Sequence, residues 1–147
     1  MRIVVQRCKN ASVTVSGEVV GKIDKGLMLL VGFTSGDDIK EINYLVDKVI
    51  NLRIFDDENG VMNKSLLDVN GSVLSVSQFT LYADARKGRR PSYVKALGGD
   101  EASILYKKFN EELRKNVIVE EGVFGADMQV NLTNDGPVTI LLEKEGE

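Results

Sequence analysis

The sequence contains no histidine, and no other single absence limits its chemistry as much. A Ser-His-Asp or Cys-His enzyme cannot be assembled from it. Any hydrolytic activity must therefore draw on a carboxylate, a lysine, a metal or a group of the substrate. Cys8 is the only cysteine, which excludes an intrachain disulfide, and one thiol without histidine cannot make a His/Cys zinc site. Long apolar runs are missing as well. The run that starts at Leu27 and reaches Val31 falls far short of a bilayer span, and the first residues lack the charged-then-apolar order of a signal peptide. A cytoplasmic protein with no membrane partner is expected. A large excess of one sign of charge is missing too: a net charge of -3 does not advertise a nucleic-acid binder, although an average can hide a local patch.

What is present reads as one soluble domain over residues 1–147, because 43% hydrophobic with 28% charged residues suffices for a core in a chain of this length. Residues 1–34 read as a β meander. Ile3 and Val5 alternate with Val4 and Gln6, Val13 and Val15 with Thr14 and Ser16, and a strand over residues 19–23 follows the Ser16-Gly17 turn. Beyond Lys25-Gly26, the apolar run over residues 27–33 has the character of a central strand buried on both faces. The period then changes to 3.6. Ile39, Ile42, Leu45, Val46, Val49 and Ile50 recur on one helical face behind a capping aspartate, and Ala102, Leu105, Tyr106, Phe109 and Leu113 mark a second amphipathic helix over residues 100–115. Short strands are expected over residues 53–55 and 117–120. Asp56-Asp57-Glu58-Asn59-Gly60 is a hairpin tip, since it lacks the ligand spacing of a calcium loop. Residues 128–133 and 138–142 read as the arms of a hairpin turning at Asn134-Asp135-Gly136-Pro137, and the total is roughly nine strands.

Two stretches stand apart from scaffolding. Ser77-Gln78-Phe79-Thr80-Leu81 closes the strand begun at Val73 and mixes three hydrogen-bonding side chains with an aromatic. Strict alternation sets Ser77 and Phe79 against Gln78 and Thr80, so the strand is expected to bend or end near Phe79 if they are to act together. Arg86, Lys87, Arg89 and Arg90 crowd a loop that glycine and proline keep from being helical, which leaves the four cations free to meet a phosphate backbone.

Taken together, Ser77-Gln78-Phe79-Thr80-Leu81 and Asn134-Asp135-Gly136-Pro137-Val138-Thr139 resemble the paired signatures of the D-aminoacyl-tRNA deacylases. The opening seven residues and Phe124-Gly125-Ala126-Asp127-Met128 resemble that family too, so the likeness spans essentially the whole chain. It implies a mixed α/β (α+β) fold: largely antiparallel, barrel-like sheets in a three-layer β/β/α arrangement with two main helices on one side. It implies a homodimer that binds the aminoacyl-tRNA acceptor end, with no DNA partner, no cofactor and no metal. The activity implied is hydrolysis of D-aminoacyl-tRNA, and of glycyl-tRNA mischarged on non-cognate tRNA. Gly136-Pro137 is expected to be cis and to reach into the partner's pocket, with Arg7 holding the loop. Phe79, Gly136, Pro137, Val138, Thr139, Arg7 and Met128 fall to substrate binding. Ser77, Gln78 and Thr80 fall to positioning or to the oxyanion side, assisted by the substrate 2′-OH. Thr80 as a nucleophile is the alternative, and it lacks a histidine to activate it. Rival readings are an editing deacylase for an L-aminoacyl-tRNA, a relative with a trans Gly-Pro that accepts L-alanine, and a non-catalytic dimeric RNA-binding module.

Overall fold

The computed structural model describes residues 1–145, so Gly146 and Glu147 of the expected 1–147 domain lie outside the described residues. β1 (Arg2–Val15) is the strand on which the sheet is assembled. One of its edges pairs along nearly its whole length with β8 (Gln129–Glu143). Its other edge is shared between β3 (Gly26–Gly32), opposite residues 2–8, and β2 (Glu18–Ile23), opposite residues 11–15. All three pairings are antiparallel, whereas β3 continues in parallel to β6 (Ser72–Ser77) and then to β7 (Val119–Glu121). The sheet curls until β2 meets the far edge. A Cβ added at Gly21 would lie 2.8 Å from the Glu121 carbonyl oxygen, so this nearly closed, barrel-like curl needs glycine there.

The curl gives each strand two apolar sides. Leu27, Leu29 and Val31 of β3 face the helices together with Ile3, Val5 and Val73, whereas Met28 joins Cys8, Val13, Leu74 and Val76 inside the curl. This is why the run in β3 is continuously apolar. α1 (Ile39–Asn51) and α2 (Gly99–Arg114) cover the outer layer with Ile42, Leu45 and Val49 from one and Leu105, Phe109 and Leu113 from the other. Each such side chain contributes roughly 1.5–3 kcal/mol on full burial. α1 begins where its cap dictates: the Asp38 carboxylate accepts from the Ile39 amide at 2.8 Å, and the Glu41 carboxylate from the Asp38 amide at 3.3 Å. The mixed α/β layering and both helices agree with the expectations, each helix boundary within a residue or so.

The expected strands differ in three places. Residues 3–6 and 13–16 belong to one strand, because β1 runs on through Lys9 and Asn10 and changes partner along its other edge. The hairpin at 134–137 does not exist. Both of its arms lie on the same neighbour in one direction, with Gln6 opposite Thr139 and Cys8 opposite Asn134, so four residues bulge out of β8 where β1 has only Arg7. A short ribbon of β4 (Phe55–Asp56) and β5 (Met62–Lys64) adds a strand that was not foreseen, and the described residues hold eight.

Candidate active site

β6 ends at Ser77. Gln78, at φ -147° and ψ 84°, turns the chain out of the strand, and residues Phe79–Tyr82 tighten into a 3₁₀ turn. The alternation that would have separated these side chains is thereby broken, and Ser77, Gln78 and Phe79 all line one cavity of about 610 Å³. The Gln78 amide is still spent on the sheet, donating to the Val31 carbonyl at 2.7 Å. The next two amides, of Phe79 and Thr80, open the 3₁₀ turn and meet no backbone acceptor among the described residues. Both amides are left unpaired by the backbone, and Phe79 belongs to the cavity lining. Thr80 does not line the cavity; its hydroxyl accepts from the Gln78 side-chain amide. No carboxylate or amine bonds to the hydroxyl of Ser77 or Thr80 among the described residues, so neither has a base to activate it.

Besides Ser77–Phe79 the cavity is lined by Phe124, Gly125, Ala126 and Met128, and Gly32, Tyr93, Leu97 and Ala102 contribute further lining. Met128 was expected from the sequence; most of the others were not. Their signal was faint: Ala96, Gly99, Gly125 and Ala126 are small residues near element ends where no turn type demands all of them. Phe124 rests on Tyr106, the ring centres 5.9 Å apart, and the Tyr106 hydroxyl donates to the Ser75 carbonyl at 2.7 Å. One residue of α2 thus backs Phe124 of the lining and bonds to β6, the strand that ends at Ser77.

The remaining expected substrate residues form a second group on the β1–β8 bulge. Arg7 is 7% exposed, with its Nε donating to the Asp135 carbonyl at 2.7 Å and its Nη1 to the Ile54 carbonyl at 2.7 Å. The guanidinium therefore ties the bulge to the start of the β4–β5 ribbon. The Gly136–Pro137 peptide bond is cis. Gly136 sits at φ +139°, where a Cβ would approach Arg7 Nη2 to 3.0 Å and Val138 Cγ2 to 2.9 Å, so both conformation and space ask for glycine. The Asn134 carboxamide closes the bulge, its oxygen accepting from the Val138 amide at 2.7 Å and its nitrogen donating to the Thr139 hydroxyl at 3.0 Å. Arg7, Gly136, Pro137, Val138 and Thr139 do not line the cavity of their own chain. Cys8 beside them is buried, and desolvation pushes its thiol up to about 11. It is no nucleophile.

The cationic loop is pinched at its base, where Asp84 and Ser92 exchange two backbone hydrogen bonds of 2.8 Å. Arg86 grips Asp84 with two bonds, of 2.9 and 2.7 Å, and holds that carboxyl well below its ordinary range. Its charge is locally matched. Lys87, Arg89 and Arg90 make no ion pair among the described residues.

A mixed α/β domain with a largely apolar cavity of this size, lined by a few polar groups at a strand end, has the form of a small-molecule or substrate site. The chain belongs to the D-Tyr-tRNA(Tyr) deacylase family, an enzyme family, whose model matches residues 4–143. It is 59% identical over 144 residues to the D-aminoacyl-tRNA deacylase of Clostridium botulinum (strain 657 / Type Ba4), covering 97% of each chain. It is 60% identical over 144 residues to that of Brevibacillus brevis, covering 97% of this chain and 99% of the relative. Among solved structures, the c-Myc DNA Unwinding Element Binding Protein superposes with a TM-score of 0.94 at 43% identity, over 99% of this chain and 100% of that one. A protein described as a probable eukaryotic D-amino acid tRNA deacylase shares the fold at a TM-score of 0.83 and 18% identity, over 96% and 97% of the two chains.

Proposed function

We propose that this protein hydrolyses the ester joining a D-amino acid to the 3′-terminal adenosine of tRNA. Glycyl esters on non-cognate tRNA are hydrolysed with it. It acts as a cytoplasmic homodimer in which each cavity receives the Gly136-Pro137 ridge of the other subunit. The observation that carries the reading is the separation of ridge from cavity: Ser77, Gln78 and Phe79 line the cavity, while Gly136 and Pro137 stand outside it on an edge strand whose alternate side chains are half-buried. A second subunit laid along that edge satisfies the strand and supplies the missing wall.

Selection by such a wall works through exclusion. A backbone ridge set against one side of the substrate's α-carbon leaves room for hydrogen and none for an L side chain. Tenfold discrimination needs about 1.4 kcal/mol, which steric overlap exceeds easily. Glycine offers nothing to exclude and passes. The D side chain points away from the ridge, so many side chains are tolerated.

For the reaction itself, the 2′-OH of the terminal ribose lies beside the ester and activates a water, whose oxygen adds to the carbonyl carbon. The bond to the ribose 3′-oxygen breaks, that oxygen takes the proton, and free amino acid and tRNA leave. The amides of Phe79 and Thr80 stabilise the charge that develops on the carbonyl oxygen, Phe79 offers its ring to the adenosine, and Gln78 and Thr80 fix each other. Lys87, Arg89 and Arg90 meet the phosphates, with Arg86 shaping the loop.

The test is hydrolysis of matched D- and L-tyrosyl-tRNA, with duplex DNA added as competitor because one structural neighbour is named for binding a DNA element. Loss of the D ester alone, unaffected by DNA, is expected. Loss of the L ester overturns the selector, loss of neither leaves an RNA-binding module, and competition by DNA overturns the acceptor-end assignment.

A further inference from the structure

We propose that Tyr93 is a stacking subsite for the unpaired nucleobase preceding the terminal adenosine, with Lys87, Arg89 and Arg90 receiving the phosphates on its far side. The proposal rests on the deacylase reading above and extends it from the aminoacylated nucleoside to the strand that carries it. Tyr93 is a cavity-lining residue that remains 45% exposed, and Val94 next to it is 90% exposed, so the rim carries apolar surface that its own chain leaves open. It is also held in place. Its segment is fixed on one side by the paired backbones of Asp84 and Ser92. On the other side the Ala96 amide donates to the Tyr93 carbonyl at 3.0 Å and the Leu97 amide to the Phe33 carbonyl at 3.0 Å. An aromatic platform already fixed in position loses little freedom when a ligand settles on it.

The second ring at the rim sets the order of occupants. Phe79 is 57% exposed, and its centroid lies 5.2 Å from that of Tyr93 with the planes inclined at 68°. A base stacked on one ring cannot lie flat on the other, so the pair offers two separate places. Phe79 adjoins the free amides of the ester site and takes the adenosine. Tyr93 takes the base before it. From Tyr93 the chain leads back through Ser92 into the cationic loop, where Asp84, Arg86, Lys87, Arg90 and Ser92 surround a smaller cavity of about 270 Å³. Aromatic faces followed by unpaired cations are the means by which proteins hold single strands with little regard to sequence.

The experiment compares wild type, Tyr93→Leu and Tyr93→Phe on D-tyrosyl-tRNA and on D-tyrosyl-adenosine, which has no preceding base. Tyr93→Leu should raise KM for the tRNA about tenfold more than it raises KM for the adenosine ester and leave kcat on the tRNA within about twofold; Tyr93→Phe should behave as wild type. Equal losses on both substrates, or none on either, overturn the proposal. In parallel, a short RNA ending in adenosine and carrying 2-aminopurine as its penultimate base is titrated against the same three proteins. Quenching by wild type and Tyr93→Phe but not by Tyr93→Leu is expected, and equal quenching by all three or by none overturns the subsite. Should wild type cleave neither ester, the deacylase reading fails by itself, and the fluorescence still decides the stacking.

Discussion

Thr80 carries a hydroxyl next in sequence to the cavity-lining Phe79, yet its single side-chain partner is the Gln78 amide, and no base bonds to it among the described residues. An unactivated hydroxyl is a poor nucleophile, so its removal should cost orientation and not the reaction. Thr80→Ala and Ser77→Ala are expected to retain kcat on D-tyrosyl-tRNA within roughly tenfold, measured under single-turnover conditions. A loss on the order of 10⁵ in either would mean a covalent mechanism. At this scale the sequence was informative about which residues matter and poor about how they are placed. The polar mixture at residues 77–80 was visible, as was the conflict with strand alternation that the turn at Gln78 resolves. Which amides would be free was not legible, because that depends on Val31, far away in the chain, taking the Gln78 amide and leaving those of Phe79 and Thr80.

Secondary elements were legible where their own periodicity fixes them and not where a distant partner does. Both helices carry their stripes and ends in local sequence, and β3 declares its two-sided burial by its unbroken apolar run. The bulge at 135–138 misleads for the opposite reason. Asp135-Gly136 has the chemistry of a hairpin turn, and only pairing with β1, more than a hundred residues earlier, keeps both arms on one line. Tyr106 shows what an element delivers to the site from behind. Its hydroxyl reaches the Ser75 carbonyl, which also accepts from the Gly122 amide at 2.9 Å, and its ring backs Phe124. Tyr106→Phe keeps the ring and leaves that carbonyl satisfied, so a loss of about 1 kcal/mol in urea unfolding is expected, with activity nearly intact. Tyr106→Leu removes the ring that backs Phe124 and should cost about 3 kcal/mol together with most of the activity. If Tyr106→Leu unfolds at the wild-type midpoint, Tyr106 does not brace the cavity walls.

At the scale of the whole molecule, the cavity and the ridge lie apart in one chain, and the proposed function makes them two half-sites of a dimer. Two inactive variants placed one in each half make the arrangement testable. Gly136→Ala spoils the ridge, since its Cβ would press on Arg7 and Val138 at a backbone conformation that disfavours a side chain. Ala126→Trp spoils the cavity by filling it, because Ala126 is part of the lining. Each homodimer should be nearly inactive. In a heterodimer of the two, one composite site collects both defects and the other collects neither. Random pairing of equal amounts gives about half heterodimers with one intact site of two, so refolding the variants together should recover about a quarter of wild-type activity. If each site were contained in a single chain, the mixture would show no more than the average of its parents. Size-exclusion with light scattering on the same sample must also give about twice the 16.2 kDa chain mass, because complementation without a dimer would contradict the mechanism that predicts it.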